Sequence, residues 1–283
     1  MTEVPGQLGS LSAADYDQFK QFLEKTCGIV LGDNKQYLVS SRLNKLMQEN
    51  QIDGLGQLVR EVQMFSNRKL KDAVVDAMTT NETLWFRDAY PFDVFRDKLL
   101  PELQHERNGP LKVWSAACSS GQEPYSLSML VEEYNTGRFG GTKADVEIVA
   151  TDLSASMLSC CEEAIYDSLS LGRGLSSERL GRHFNELTAN SWQVKHEIRK
   201  RVRFRPLNLK DSFVSLGKFD VVFCRNVLIY FSSELKTDIL RRIHGTLKPG
   251  GYLVLGASEG LSGAGDLFEM RQCRPGIIYR VIN

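Results

Sequence analysis

LKVWSAACSSGQEPYSLSMLVEEY, residues 111–134, is the stretch on which the fold turns. It opens as a short, largely apolar β-rich run, LKVWSAAC (111–118), and closes as a helical stretch, Pro124–Tyr134. Between them lies AACSSGQEPYS (116–126), whose small residues let the backbone approach a ligand closely. Gly121 can take positive φ there, and Pro124 suits a first helical turn. The loop is not GxGxxG, so a dinucleotide reading is poor, and a tight strand-to-helix turn without a ligand competes with any binding role.

The same signature recurs downstream. VEIVATD (146–152), RVRFR (201–205), FDVVFC (219–224) and GYLVLG (251–256) are short apolar runs, and GIIYRVI (276–282) is the last of them. Helical stretches at Ser154–Ala164 and Ser233–Thr246 fall between strands. Near-continuous apolar strands alternating with helices predict an α/β fold with a mostly parallel sheet, buried on both faces. The segment 168–200 breaks the alternation and reads as an insertion, with a short helix at Ser176–Phe184 and a small hairpin at Trp192–Ile198.

Upstream the pattern is helical. Ser12 with Asp15 marks a helix start and Gly28 a stop. Tyr16, Phe19, Phe22 and Leu23 form one apolar face. Further stripes are Val39, Leu43, Leu46 and Met47; then Leu55, Leu58, Val59, Val62 and Phe65; then Leu70, Val74, Ala77 and Met78. Four amphipathic helices predict a small bundle over residues 1–78, followed by a linker at 79–90 and the α/β domain over 91–283.

Composition narrows the function class. The 283 residues carry 35 basic and 35 acidic side chains, so nothing global points to a polyanion or a membrane surface. No apolar run reaches the ~18 residues of a membrane span. MTEVPGQLGS lacks the basic and apolar stretches of a secretion signal. Six cysteines without a CxxC pair read as reduced thiols in a cytoplasmic protein. The histidines at 105, 183, 196 and 244 have no metal-ligand spacing, and no metal is expected.

In an open parallel sheet, ligands bind beyond the carboxyl ends of the strands. Asp152 ends VEIVATD, where a carboxylate can accept from two ribose hydroxyls; an N-cap for the next helix is the competing reading. It lies 31 residues beyond Gly121, against ~20 in a dinucleotide fold. The polar stretch Asn135–Lys143 can supply the difference. Leu247-Lys248-Pro249-Gly250-Gly251 before YLVLG is turn chemistry. With FDVVFC ahead of it, it resembles the fourth and fifth strands of S-adenosylmethionine (SAM)-dependent methyltransferases, whose cofactor has no phosphate.

Three blocks make the resemblance specific. Thr80–Arg87, TNETLWFR, resembles the TNET-x-x-FR segment of the CheR family of chemotaxis receptor methyltransferases. CSSGQEPYS (118–126) and CRNVLIYF (224–231) resemble two further blocks of that family, in the same order. The resemblance covers nearly the whole chain. It implies a Rossmann-like SAM-dependent methyltransferase fold with an N-terminal helical domain, a linker that contributes to the cofactor site, and a small β insertion. It also implies transfer of methyl from SAM to glutamate carboxylates on the cytoplasmic helical region of chemotaxis receptors. By resemblance, Asn81, Thr83 and Arg87 touch the cofactor, Glu123 meets its amino group and Asp152 its ribose. Asn208 and Leu209 match the adenine side, and Arg225 and Asn226 a further contact. Some family members hold a tethering peptide at the receptor's C-terminus with a longer, glycine-containing hairpin; Phe184–Trp192 is short and lacks glycine, so the resemblance does not extend to tethered recruitment.

The chemistry fits. A glutamate is already ionised at neutral pH, so no general base is required. Arg87 offers a rigid donor fork for a carboxylate, of the cofactor or of the acceptor; a strong clamp on the acceptor would lower its nucleophilicity, which favours the cofactor, and Tyr230 can orient the attacking oxygen. These two are the candidate catalytic residues. Trp85 reads as core, and Cys118 and Cys224 as small buried hydrophobes. The basic run Arg199–Arg205 and the cluster Arg68, Lys69 and Lys71 are candidate patches for an acidic partner, against solvated surface. A methyltransferase for nucleic acid or a small molecule is the main rival. The Asn/Asp-Pro-Pro-Tyr/Phe loop of amine methyltransferases is replaced here by Arg225-Asn226-Val227-Leu228. A non-catalytic scaffold is the second rival.

Overall fold

The computed structural model describes residues 12–137 and 143–282. The reading of MTEVPGQLGS, and residues 138–142 of the stretch Asn135–Lys143, lie outside that range. The chain forms two compact units. One runs to Thr80 and includes Tyr230–Ser232; the other comprises Asn81–Ile229 and Ser233 onward.

The first unit is helical: α1 (Ala13–Cys27), α2 (Gln36–Glu49), α3 (Leu55–Gln63) and α4 (Arg68–Met78). The Ser12 hydroxyl accepts from the Asp15 N–H and caps α1 at 3.1 Å, and Gly28 ends it at φ 81°. Phe19, Leu23, Leu43, Leu58 and Val74 are fully buried, which accounts for the four stripes. The last carbonyls of α4 are satisfied by Arg42 on α2, which donates to Met78 O at 2.8 Å and Thr79 O at 3.0 Å. Cationic donors suit a helix C-terminus.

The second unit carries β1 (Leu111–Ala116), β2 (Val146–Asp152), β3 (Ile165–Asp167), β4 (Phe184–Thr188), β5 (Ser191–Val194), β6 (Val202–Pro206), β7 (Phe219–Cys224), β8 (Leu247–Leu255), β9 (Phe268–Cys273) and β10 (Gly276–Val281). Seven of these form one sheet in the order β6-β2-β1-β7-β8-β10-β9. The first five run parallel, while β10 is antiparallel to both β8 and β9. The chain leaves β1 towards β2 and β6, then returns to β7 and β8 on the other side. That reversal puts the switch point at the β1/β7 junction. β7 is buried at every position, as expected of a central parallel strand. Its one charged residue, Asp220, accepts from Lys248 Nζ at 2.7 Å and Lys112 N at 2.8 Å.

Three details differ from the sequence reading. The hairpin is β4–β5, turning at Ala189–Asn190, and His196–Arg199 is a helical turn rather than a hairpin arm. With β3 it makes a separate antiparallel sheet, β3-β5-β4. The Pro-Gly-Gly segment lies inside β8, where pairing with β7 shifts register and Gly250 takes φ 69°. Tyr90–Val94 and Leu100–Glu106, joined by a π-helical turn at Phe95–Leu99, form helix where only a change of pattern was noted. Pro91 falls in the first turn of this run, where a missing N–H costs nothing, and Pro101 directly follows the π-helical turn.

From Asn81 onward the TNETLWFR segment belongs to this unit, where it is held by the insertion. Trp85 N donates to Arg173 O at 3.0 Å. The fully buried indole packs edge-on against Tyr166 and Phe184, 4.9 and 5.4 Å between centroids, which makes Trp85 core. Gly174, at φ 97°, permits this: a Cβ there would stand 2.2 Å from Trp85 O. Gly174→Ala is expected to destabilise by about 1–3 kcal/mol from backbone conformation alone, with the clash adding to it. A urea midpoint equal to wild type would contradict that role.

Candidate active site

Five segments converge at the carboxyl ends of the parallel strands: 81–89, 117–121 after β1, 152–154 at the end of β2, 206–211 after β6 and 225–228 after β7. Six of the nine non-glycine residues with positive φ among the described residues lie on them: Phe86, Asp88, Ala89, Ala117, Ser119 and Asn226. Backbone strain concentrated on one crevice marks it as the functional end of the sheet.

Asp152 ties two of the segments. Its Oδ2 accepts from Ser119 N at 2.7 Å and its Oδ1 from Ser154 N at 2.9 Å, while its carbonyl accepts from Leu207 N at 2.9 Å. It does not cap the following helix; Ser154 does, accepting from Met157 N at 3.1 Å. A carboxylate oxygen can accept more than one hydrogen bond. Asn208 sits just beyond β6, its side chain accepting from Lys210 N at 3.0 Å. The buried Leu209 follows, its carbonyl held by Arg242 at 2.8 Å.

The segment 81–89 is bound at both ends. Asn81 O accepts from Ser119 Oγ at 2.8 Å, and Phe86 N donates to Ser126 Oγ at 3.2 Å. At its far end, Arg225 donates to Arg87 O and to Asp88 Oδ2, both at 2.7 Å. Arg225 is otherwise paired with Glu123 Oε2 at 2.9 Å, and its side chain is only 2% exposed. Glu123 Oε1 accepts from Ser115 Oγ at 2.8 Å. Glu123 and Arg225, read in the sequence as cofactor contacts, are thus partners of each other, joining β1, β7, the helix Gln122–Thr136 and the Arg87–Asp88 turn.

Arg87 itself donates to Glu82 O at 3.2 Å and forms no ion pair among the described residues. Thr83 stands half-buried on the same segment. Asn226 takes φ 58° directly after Arg225. Tyr230 closes the short turn Leu228–Tyr230, and its carbonyl accepts from Val30 N at 2.9 Å within the helical unit. Sequence reasoning missed Glu259. Its carboxylate accepts four backbone N–H groups, from Asn226, Val227, Leu228 and Gly256, at 2.7–2.9 Å. The only signal was a lone acid after a strand.

The two thiols are not nucleophiles. Hydrogen bonding to the Cys161 thiol, reinforced by burial, pushes Cys118 well above its usual range. Burial does the same to Cys224. No segment of the crevice contains a histidine. What remains is a site for binding and alignment. It offers an unpaired guanidinium, a carboxylate at the end of β2 and close-packed loops of small residues, without a phosphate cradle. These groups fit the charges and hydroxyls of a zwitterionic nucleoside.

A sheet of this order with such a crevice defines a SAM-dependent methyltransferase. Residues 81–277 match the family described as "CheR methyltransferase, SAM binding domain", and residues 14–79 match "CheR methyltransferase, all-alpha domain". The chain is 62% identical over 272 residues to chemotaxis protein methyltransferase 1 of Pseudomonas aeruginosa, covering 96% of this chain and 99% of that protein. It is 53% identical over 272 residues to the chemotaxis protein methyltransferase of Vibrio parahaemolyticus, covering 96% and 98%. Among solved structures, a TehB-like SAM-dependent methyltransferase from Corynebacterium glutamicum superposes at TM-score 0.38 and 13% identity, over 69% of this chain and 94% of that one. The chain belongs to the CheR methyltransferase family, and its cofactor is SAM.

Proposed function

We propose that the protein transfers the methyl group of SAM to glutamate side chains on the cytoplasmic helical region of chemotaxis receptors, forming γ-glutamyl methyl esters. The observation that carries this reading is the crevice itself: it aligns charged groups and holds no proton-transfer apparatus. An acceptor that is already an anion needs none. When bound, the cofactor supplies an electrophilic methyl on a sulfonium. The chain's residues do the rest. Arg87 holds the cofactor carboxylate, Asp152 the ribose, Asn208 and Leu209 the adenine side, with Asn81, Thr83, Glu123, Arg225 and Asn226 completing the wall. Residues 79–90 act as the linker between domains 1–78 and 91–283 and contribute Asn81, Thr83 and Arg87 to this wall. Opposite charges vanish as the carboxylate attacks, so excluding water favours the transition state. In-line alignment has an upper scale of roughly 7–11 kcal/mol.

Tyr230, four residues beyond Asn226, orients the attacking oxygen. Tyr230→Phe is expected to lower kcat about tenfold with cofactor affinity unchanged; a normal kcat would remove the hydroxyl from the mechanism. The names of the relatives support a receptor substrate, and the Arg225-Asn226-Val227-Leu228 turn supports it over nucleic acid. No helix among the described residues is long and apolar enough to cross a membrane. All six cysteines are free thiols, which supports a cytoplasmic setting. The two-residue turn between β4 and β5 supports recruitment without a receptor-terminal tether, leaving Arg199–Arg205 or Arg68–Lys71 to meet acidic receptor helices. The test is incubation with methyl-labelled SAM and chemoreceptor-containing membranes. Volatile label released from receptor by mild alkali is expected; label stable to alkali, or label in tRNA alone, would overturn the reading.

A further inference from the structure

We propose that Glu259 is a positioning residue for methyl transfer, which sets the backbone of the Asn226–Leu228 turn against the acceptor; the proposal rests on the function above. One carboxylate gathers N–H groups from the tips of two neighbouring strands. Its Oε1 accepts from Val227 N at 2.9 Å and Leu228 N at 2.7 Å. Its Oε2 accepts from Asn226 N at 2.7 Å, after β7, and from Gly256 N at 2.9 Å, after β8. Glu259 N closes the arrangement by donating to Gly256 O at 3.0 Å. Three consecutive N–H groups can point at one anion because Asn226 leaves β7 in the left-handed region, at φ 58°. Asparagine tolerates that conformation better than most non-glycine residues, and the carboxylate's contacts hold it there.

The packing has room for this carboxylate and little else. A Cβ on Gly256 would lie 2.6 Å from Glu259 Oε2 and 2.9 Å from Asn226 N. Beyond Leu228 the chain runs directly into the turn that ends at Tyr230. β7 borders β1 at the switch point, so the braced turn edges the crevice where an acceptor must approach. A displacement of about 1 Å there is enough to cost in-line geometry on the order of 100-fold. Arg87, Asp152, Asn208 and Leu209 lie on other segments and leave Asn226 as the braced turn's own share of the cofactor site, so the brace bears on turnover more than on cofactor binding. Glutamine has nearly the same shape, but it replaces one acceptor oxygen with an NH2 that faces backbone donors.

The test compares full-length wild type with Glu259→Gln and Gly256→Ala, which crowds the carboxylate out while leaving its charge. Receptor methylation is followed by alkali-labile label, and S-adenosylhomocysteine binding by calorimetry. Both variants are expected to lose at least tenfold in kcat, with dissociation constants within twofold of wild type. Undiminished kcat in either folded variant would overturn the proposal, as would affinity falling in parallel with kcat. Hydrogen exchange on the wild type needs no variant to fold: the amides of Asn226, Val227, Leu228 and Gly256 are expected to be protected without cofactor, and rapid exchange would overturn the brace. Absence of receptor methylation by the wild type would instead count against the function proposed above.

Discussion

Replacing Asp152 by alanine is expected to weaken binding of S-adenosylhomocysteine by on the order of 100-fold or more. Each hydrogen bond to a charged acceptor contributes about 1.5–3 kcal/mol, and about 1.4 kcal/mol is a factor of ten, so losing two ribose contacts reaches that scale. The substitution also removes the acceptor of Ser119 N and Ser154 N, loosening the loop after β1 that holds Asn81. Binding is therefore measured by calorimetry below the variant's own unfolding temperature. Asp152→Asn, which keeps the shape and one carbonyl acceptor, should fall between. Affinity equal to wild type in Asp152→Ala would remove the residue from the cofactor site.

The second large effect is on stability. Arg225→Met should cost about 3–5 kcal/mol, the scale for breaking one side of a buried ion pair, out of a total of roughly 5–15 kcal/mol. Arg225 is 2% exposed and its partner Glu123 13%, so methionine would leave a desolvated carboxylate uncompensated. It would also release Arg87 O and Asp88, freeing the end of the segment that presents Arg87. Urea unfolding measures the loss. Adding Glu123→Gln should recover part of it, because the orphaned charge is then gone. A double variant no more stable than Arg225→Met would mean that the pair is not what Arg225 sustains.

These two residues show what a sequence carries and what it withholds. Asp152 was legible because its position at the end of an apolar strand follows from local pattern. The same holds for Ser12 and Gly28, which cap α1, and for the alternation that yields the parallel sheet. Arg225 was legible as a site residue by resemblance, but not as the partner of Glu123. That contact spans 102 positions, and no periodicity encodes it. Glu259 stayed hidden for the same reason: three of its four partners are backbone N–H groups 31–33 residues away, which have no signature in side-chain type. The small sheet was misplaced because β3 is only three residues long, Ile165–Asp167, and its partner strands are mostly polar. The strand β9, FEMRQC, is an edge strand of the sheet with mainly exposed positions and gave no apolar run to read.

The central claim is that one crevice, at the carboxyl ends of β1, β2, β6 and β7, holds the methyl donor by alignment alone. A crystal structure of the full chain with S-adenosylhomocysteine tests it most directly. The expected result places the ribose hydroxyls on Asp152, the adenine beside Asn208 and Leu209, and the amino-acid carboxylate on Arg87. A ligand seated elsewhere, or Arg87 turned away from it, would contradict the account.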